Sequence, residues 1–301
     1  MKHQRAQIKG IIPALITPYA SDGSVNRASL EALVEKTLAD GVDGFYVAGS
    51  TAETFLLSND ERKKLIEIVT SCINGRAFVI CHVGSISTAT AVEFARHAAS
   101  VGVDAVSAIP PFYYNFTTQE IVGYYQDIAS ATNLPLILYN FPAFSGVTID
   151  HVSAPELFAD PRIIGIKHTS LNLHQLERIK QANPDFICLS GHDEVFLPAL
   201  SVGADGAIGS TYNFMAGLFV DIRNAFQSGD MARARQLQNI ANDVIDRVSA
   251  AGVFSATKFL LELSGISCGP CRKPFKPLTE AQQQSLREVP KLLDRAKAPV
   301  A

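Results

Sequence analysis

Short apolar runs alternate along this chain with longer amphipathic segments. Eight of these runs have the length and the β-branched content of buried strands; they cover residues 11–17, 44–48, 77–83, 104–109, 135–140, 163–167, 186–190 and 206–209. Segments between them, such as 29–36 and 60–69, carry apolar residues at i, i+3 and i+4, which is the spacing of a helix with one solvated face. The alternation predicts a parallel sheet with crossover helices.

Eight strand-helix units predict a (β/α)8 TIM barrel, in the α/β class. The competing architecture is a doubly wound sheet, which usually has a glycine-rich dinucleotide loop after its first strand; no such loop follows residue 17. Residues 231–248, 253–264 and 280–296 have helical patterns and predict a C-terminal helical extension. We expect residues 1–215 to hold the barrel strands and the catalytic site. Residues 216–301 would hold the last barrel helix and the extension, packed as one unit with the barrel.

Composition and charge narrow the classes of function. The chain has 301 residues, of which 47% are hydrophobic and 18% charged, so it suits one large barrel domain and not wholesale disorder. Its 26 Lys and Arg residues against 29 Asp and Glu give a net charge of -3, which argues against nucleic acid or an anionic membrane surface as a partner. No apolar run reaches the ~18 residues of a membrane span.

The pattern near the start and the cysteines predict the compartment. The apolar segment 11–16 is short for a signal-peptide core and contains Pro13, so we interpret it as the first strand. Five cysteines without regular spacing give no disulfide framework and suit a reducing, cytoplasmic location. Cys268 and Cys271 have the spacing of a thioredoxin-like redox motif, but they follow a helix late in the chain, and we interpret the spacing as coincidence.

Catalytic groups of a TIM barrel lie at the C-terminal ends of its strands. Lys167 closes the apolar run 163–166, where loss of solvent would lower its pKa and leave a nucleophilic amine, although a lysine at a strand end can also extend to solvent. Tyr139 ends another apolar run. Its phenol could move protons next to a Schiff base, or lie in the core with a satisfied hydroxyl.

Polar side chains follow two further strands. Ser50 and Thr51 offer hydroxyls and backbone N–H groups suited to a carboxylate, although both residue types also cap helices. Asp193 and Glu194 could hold sugar hydroxyls. Because no further ligands stand at a recognisable spacing, we predict no metal.

Together these motifs resemble the pyruvate-dependent class I aldolases of the N-acetylneuraminate lyase and dihydrodipicolinate synthase superfamily, over nearly the whole chain. Residues 139–146, 191–194, 206–213 and 271–275 are similar to the N-acetylneuraminate lyases within it. That resemblance implies a TIM-barrel lyase that splits N-acetylneuraminate into N-acetylmannosamine and pyruvate, with no metal or organic cofactor.

Carried over by position, the resemblance also implies roles for single residues. Lys167 would form the Schiff base and Tyr139 would move the proton at the scissile bond. The substrate carboxylate would bind Ser50 and Thr51, and the sugar tail would be lined by Thr169, Gly191, Asp193, Glu194 and Ser210. Tyr113 matches a tyrosine that in this superfamily reaches a neighbouring subunit's site, which implies a homotetramer.

Two departures and several alternatives bear on that expectation. Ala52 stands where the family pattern has glycine, so the loop must differ if that position needs a positive φ. His192 stands where the bacterial lyases often have tyrosine, beside the sugar subsite, and can shift substrate preference. Dihydrodipicolinate synthases carry an arginine soon after the strand-five tyrosine, and residues 142–144 have none. A 2-keto-3-deoxy sugar acid aldolase, a pyridoxal phosphate enzyme and a non-catalytic sugar-acid-binding barrel stay open.

Overall fold

A computed structural model describes residues 8–298 of the chain. Residues 1–7 of the predicted segment 1–215 and residues 299–301 of the predicted segment 216–301 lie outside the described residues. No helix between residues 8 and 298 has both the length and the hydropathy needed to cross a bilayer.

Eight parallel strands form one sheet. They are β1 (Gly10–Pro13), β2 (Gly44–Val47), β3 (Phe78–His82), β4 (Ala105–Ala108), β5 (Leu136–Asn140), β6 (Ile163–His168), β7 (Ile187–Ser190) and β8 (Gly206–Gly209). The strand order is β1-β8-β7-β6-β5-β4-β3-β2. Two backbone hydrogen bonds, Leu15 N to Tyr46 O and Asp43 N to Ile11 O, bring β1 beside β2 and close the ring. The predicted TIM barrel is confirmed.

Helices connect the strands and continue beyond them. The barrel helices are α1 (Arg27–Ala39), α2 (Asn59–Ile73), α3 (Thr88–Val101), α4 (Thr118–Ser130), α5 (Pro142–Ser145), α6 (Pro155–Ala159), α7 (Leu173–Ala182), α8 (Phe196–Ser201) and α9 (Tyr212–Gln227). The extension consists of α10 (Met231–Ala251), α11 (Val253–Leu263), α12 (Glu280–Leu286) and α13 (Val289–Asp294). The predicted C-terminal helical extension is therefore present.

Both faces of the sheet are buried. Because alternate side chains of a strand point to opposite sides, each strand contributes to both buried faces. Ile11 packs in the cluster between strands and helices, whereas Ile12 joins the cluster that fills the barrel. Ile80 and Ile208 belong to the same interior cluster. The filled interior leaves the open ends of the strands as the place for a site.

Two predicted elements end differently from the pattern. The first strand was expected to reach residue 17, but it stops at Pro13, because the side chain of Asn213 accepts the N–H of Ile16 and donates to the carbonyl of Ala14. The helix expected over 280–296 is broken into α12 and α13. Pro290 has no N–H to donate and its ring would clash with a carbonyl of the preceding turn, so it starts a new helix.

Candidate active site

A cavity of about 430 Å³ opens where the strands end. Every residue predicted for the site lines it: Ser50, Thr51, Tyr139, Lys167, Thr169, Gly191, Asp193, Glu194 and Ser210. These residues lie at the ends of five different strands or in the loops that follow them, and the parallel barrel brings all five strand ends to one side.

Lys167 lies beside Tyr139 because β5 and β6 pair these two residues directly. Its Nζ is 4.1 Å from the centre of the Tyr139 ring and 4.4 Å from that of Tyr46. The residue is 5% exposed, which excludes a lysine that extends to solvent. Burial lowers the pKa of Lys167 to about 7, against the opposing effect of the Asp193 carboxylate. A large part of the amine is therefore neutral near pH 7.

Burial shifts the pKa of Tyr139 in the opposite direction and also favours its neutral form. The residue is 3% exposed, and burial raises the pKa of Tyr139 to about 12, against a smaller effect of the hydroxyls of Ser50 and Thr169. The ring of Phe141 stacks on it at a centroid distance of 5.9 Å. The phenol is thus protonated near pH 7, and its ring packs against Phe141.

The loop after β2 carries Ser50 and Thr51 in a single turn of 3-10 helix. Gly49 precedes it because a Cβ there would lie 2.5 Å from the ring of Tyr46. Thr51 Oγ1 is 2.7 Å from the hydroxyl of Ser210, so this loop is joined to the loop after β8. The two hydroxyl residues share one wall of the cavity.

Ala52 fits this loop without strain. The positive φ angles are at Ala48 (58°) and Glu53 (57°), on either side of the turn, and not at Ala52. The carbonyl of Ala52 accepts a hydrogen bond from Thr17 at 2.8 Å. The glycine of the family pattern is therefore not required here for its backbone freedom.

The loop after β7 forms the opposite wall. Asp193 Oδ2 accepts hydrogen bonds from the N–H and the hydroxyl of Thr211, at 3.0 and 2.7 Å, and burial raises the pKa of Asp193 to about 6. Asp193 Oδ1 and Thr169 Oγ1 are buried and have no hydrogen-bond partner within residues 8–298. Gly191 leaves room for that hydroxyl, since a Cβ would lie 1.8 Å from it. This wall is therefore built from closely packed, buried polar atoms.

His192 restrains its neighbour Glu194. Its Nδ1 lies 3.0 Å from Glu194 Oε1, and this contact is the main reason that the pKa of Glu194 is lowered. The edge of the His192 ring also meets Phe141 at 6.3 Å. Both residues line the cavity, so the second departure from the family pattern lies at the site itself.

One part of the lining was missed by the sequence reasoning. The junction of α10 and α11 contributes Ile245, Val248, Ser249, Gly252, Val253, Phe254 and Ser255, and Phe275 adds a further ring. Gly252 marks the break between two amphipathic helices, which is a visible signal. No local pattern shows that this break covers the mouth of the barrel.

Three predicted features lie apart from the cavity or outside its chemistry. Tyr113 is 85% exposed with a φ of 84° and does not line the cavity, so its role in a neighbouring subunit stays a prediction.

Cys268 and Cys271 are free thiols. Burial raises the pKa of Cys268 to about 12 and also raises the pKa of Cys271. An activated redox pair would show a lowered thiol pKa instead. Residues 8–298 contain no group of three or more potential metal ligands.

Residues 7–292 of the chain match the model of the Dihydrodipicolinate synthetase family. The chain belongs to this family. A relative within it, an N-acetylneuraminate lyase from Rhizobium meliloti (strain 1021), is 45% identical over 283 residues, which are 94% of each chain. The resemblance found in the sequence is confirmed.

Solved structures of similar proteins have the same fold as this chain over nearly its whole length. CdNal from Clostridium difficile, in complex with mannosamine, superposes with a TM-score of 0.91 at 35% identity, covering 94% of this chain and 98% of that one. A catalytic lysine mutant of the sialic acid aldolase of Ruminococcus gnavus has a TM-score of 0.94 at 31% identity and covers 98% of both chains. The family likeness therefore extends over the barrel and the C-terminal helices.

Proposed function

We propose that this chain is an N-acetylneuraminate lyase, a carbon-carbon lyase that reversibly cleaves N-acetylneuraminate to N-acetylmannosamine and pyruvate. The observation that carries the proposal is Lys167, a buried amine with a pKa of about 7 placed 4.1 Å from the ring of a buried tyrosine. The names of the relatives described above support the choice of substrate.

Lys167 acts as the nucleophile. At its ordinary pKa, less than about 0.1% of a lysine amine is neutral at pH 7; with a pKa of about 7, close to half is neutral. The neutral amine adds to the C2 ketone of the open-chain substrate, and the hydroxyl of this adduct leaves as water with the proton of the Tyr139 phenol, which gives an iminium. The positive nitrogen then accepts the electron pair of the C3–C4 bond as that bond breaks.

Tyr139 takes the proton of the C4 hydroxyl as N-acetylmannosamine leaves. A pKa of about 12 makes the phenolate scarce before the substrate reacts, but the iminium cation close to the ring favours the phenolate that remains once the phenol proton has left with water. The remaining enamine is protonated at C3, and water hydrolyses the imine to pyruvate and free Lys167. These steps use no metal and no organic cofactor.

The two walls of the cavity divide the substrate between them. Ser50 and Thr51 bind the carboxylate next to C2. The sugar tail lies along Thr169, Gly191, Asp193, Glu194 and Ser210, whose polar groups line this side of the cavity and suit a chain of hydroxyls. Residues 142–144, Pro-Ala-Phe, supply no arginine for the carboxylate of a dihydrodipicolinate synthase substrate.

Reduction in the presence of pyruvate tests the covalent step. Borohydride should trap an adduct of about 72 Da, pyruvate less water plus two hydrogens, on the native protein and not on Lys167→Ala. A lactate dehydrogenase-coupled assay then compares N-acetylneuraminate with a 2-keto-3-deoxy sugar acid. Faster pyruvate release from the latter would replace the proposed substrate, and absence of the adduct would leave a sugar-acid-binding barrel.

We also expect a cytoplasmic homotetramer. Tyr113 supports this expectation, because an exposed aromatic side chain on a loop with positive φ suits insertion into a neighbouring copy. Light scattering coupled to gel filtration measures the assembly, and a monomer with full activity would contradict it.

A further inference from the structure

The C-terminal extension reaches into the loop that carries Ser50 and Thr51. Lys258 of α11 donates a hydrogen bond to Glu53 Oε1 at 2.7 Å, and the two side chains are 3% and 0% exposed. The other carboxylate oxygen of Glu53 accepts the backbone N–H of Arg272 at 2.6 Å. Glu53 is thereby fixed from two sides by residues of the extension.

A fixed Glu53 also fixes the hydroxyl residues before it. Its own N–H bonds to the carbonyl of Ser50 at 3.0 Å and closes the 3-10 turn, and its φ of 57° sets the direction of the chain after that turn. The loss of solvation on burying two charges offsets much of the free energy of their attraction, so fold stability alone does not explain such a pair. Positioning of a binding loop does explain it.

A second contact joins the extension to the opposite wall. Gln238 of α10, which is buried, donates to the carbonyl of Asp193 at 3.1 Å and to the side chain of Asn242 at 2.9 Å. Asn242 in turn donates to the carbonyl of Glu194 at 3.2 Å. This amide pair, Gln238 and Asn242, holds the backbone of both acidic residues.

We propose that the extension positions the two walls through separate anchors: the Glu53–Lys258 pair sets the carboxylate wall, and the amide pair sets the sugar wall. The four side chains are positioning residues, since none of them lines the cavity. The proposal rests on the proposed function, because it assigns each wall to one half of the substrate.

Kinetics in the synthetic direction separate the two anchors. The double variant Glu53→Gln/Lys258→Met removes both charges and keeps an acceptor for Arg272; we expect its KM for pyruvate to rise about tenfold or more and its KM for N-acetylmannosamine to change less than about twofold. Gln238→Leu should give the reverse, with pyruvate trapping as in the native protein. Asp243→Asn, on the same helix in an exposed pair with Arg295, is the matched control and should change neither constant.

Active protein is counted in each variant by the reduced pyruvate adduct at saturating pyruvate, and thermal melting is recorded. A merely structural role would lower the melting temperature and the active fraction but leave both KM values as they are, which would overturn the proposal. A parallel rise of both KM values in either variant would show that the anchors are not separate and would overturn it too. Absence of the adduct in the native protein would instead remove the proposed function.

Discussion

The pH dependence of pyruvate trapping tests the electrostatic state of Lys167. Burial places its pKa at about 7, so the neutral fraction of the amine rises with pH. That fraction is about one tenth at pH 6, about half at pH 7 and about nine tenths at pH 8. The initial trapping rate at low pyruvate should therefore rise about fivefold from pH 6 to 7, less than about twofold from pH 7 to 8, and then level off.

The assay is mass spectrometry of the adduct formed with sodium cyanoborohydride between pH 5.5 and 9. The amine of 6-aminohexanoate, which is fully solvated, provides the reference curve under the same conditions. Asp193→Asn removes the carboxylate that raises the pKa of Lys167, so its midpoint should move to lower pH, whereas Asp243→Asn on the surface of α10 should keep the native midpoint. A rate that climbs tenfold per pH unit through pH 9, as the reference amine gives, would refute the reasoning.

Three further changes test single residues. Tyr139→Phe should keep the pyruvate adduct but slow cleavage of N-acetylneuraminate by about 10²- to 10⁴-fold in the coupled assay, and a rate near the native one would remove its role in proton transfer. Gly191→Ala places a methyl group against Thr169 Oγ1 and should raise the KM for N-acetylmannosamine more than that for pyruvate; equal changes would contradict a sugar wall. Lys167→Met should stabilise the fold at pH 6, by about 3 kcal/mol or more in urea unfolding, because the native lysine is there charged and buried. The lowered pKa makes this cost fade between pH 7 and about 10.4, so a gain that is no smaller at pH 9 would be evidence against it.

The barrel and the position of its site followed from local pattern. Eight apolar runs fixed the number of strands, and the parallel arrangement then brought the residues after each strand to one end. Lys167 and Tyr139 were visible because each ends an apolar run, and their direct pairing across β5 and β6 makes that placement a contact.

The features that the sequence did not reveal depend on contacts between distant residues. Lys258 and Glu53 are far apart along the chain, and nothing near either residue shows that they meet. The early end of β1 depends in the same way on the side chain of Asn213. The break at Pro290 is different, since the signal was local and the apolar pattern concealed it.

A single physical cause, the removal of water, holds both groups of the proposed mechanism, Lys167 and Tyr139, in their neutral forms. The same burial that favours the neutral amine of Lys167 also favours the protonated phenol of Tyr139, because both neutral forms are the cheaper ones away from solvent. In the proposed mechanism, formation of the iminium then adds a positive charge next to the Tyr139 ring. That charge would favour the phenolate that remains after the phenol proton has left with water, so we expect Tyr139 to act as a base only after Lys167 has reacted. The proposed order of the two steps therefore follows from the place at which this one charge forms.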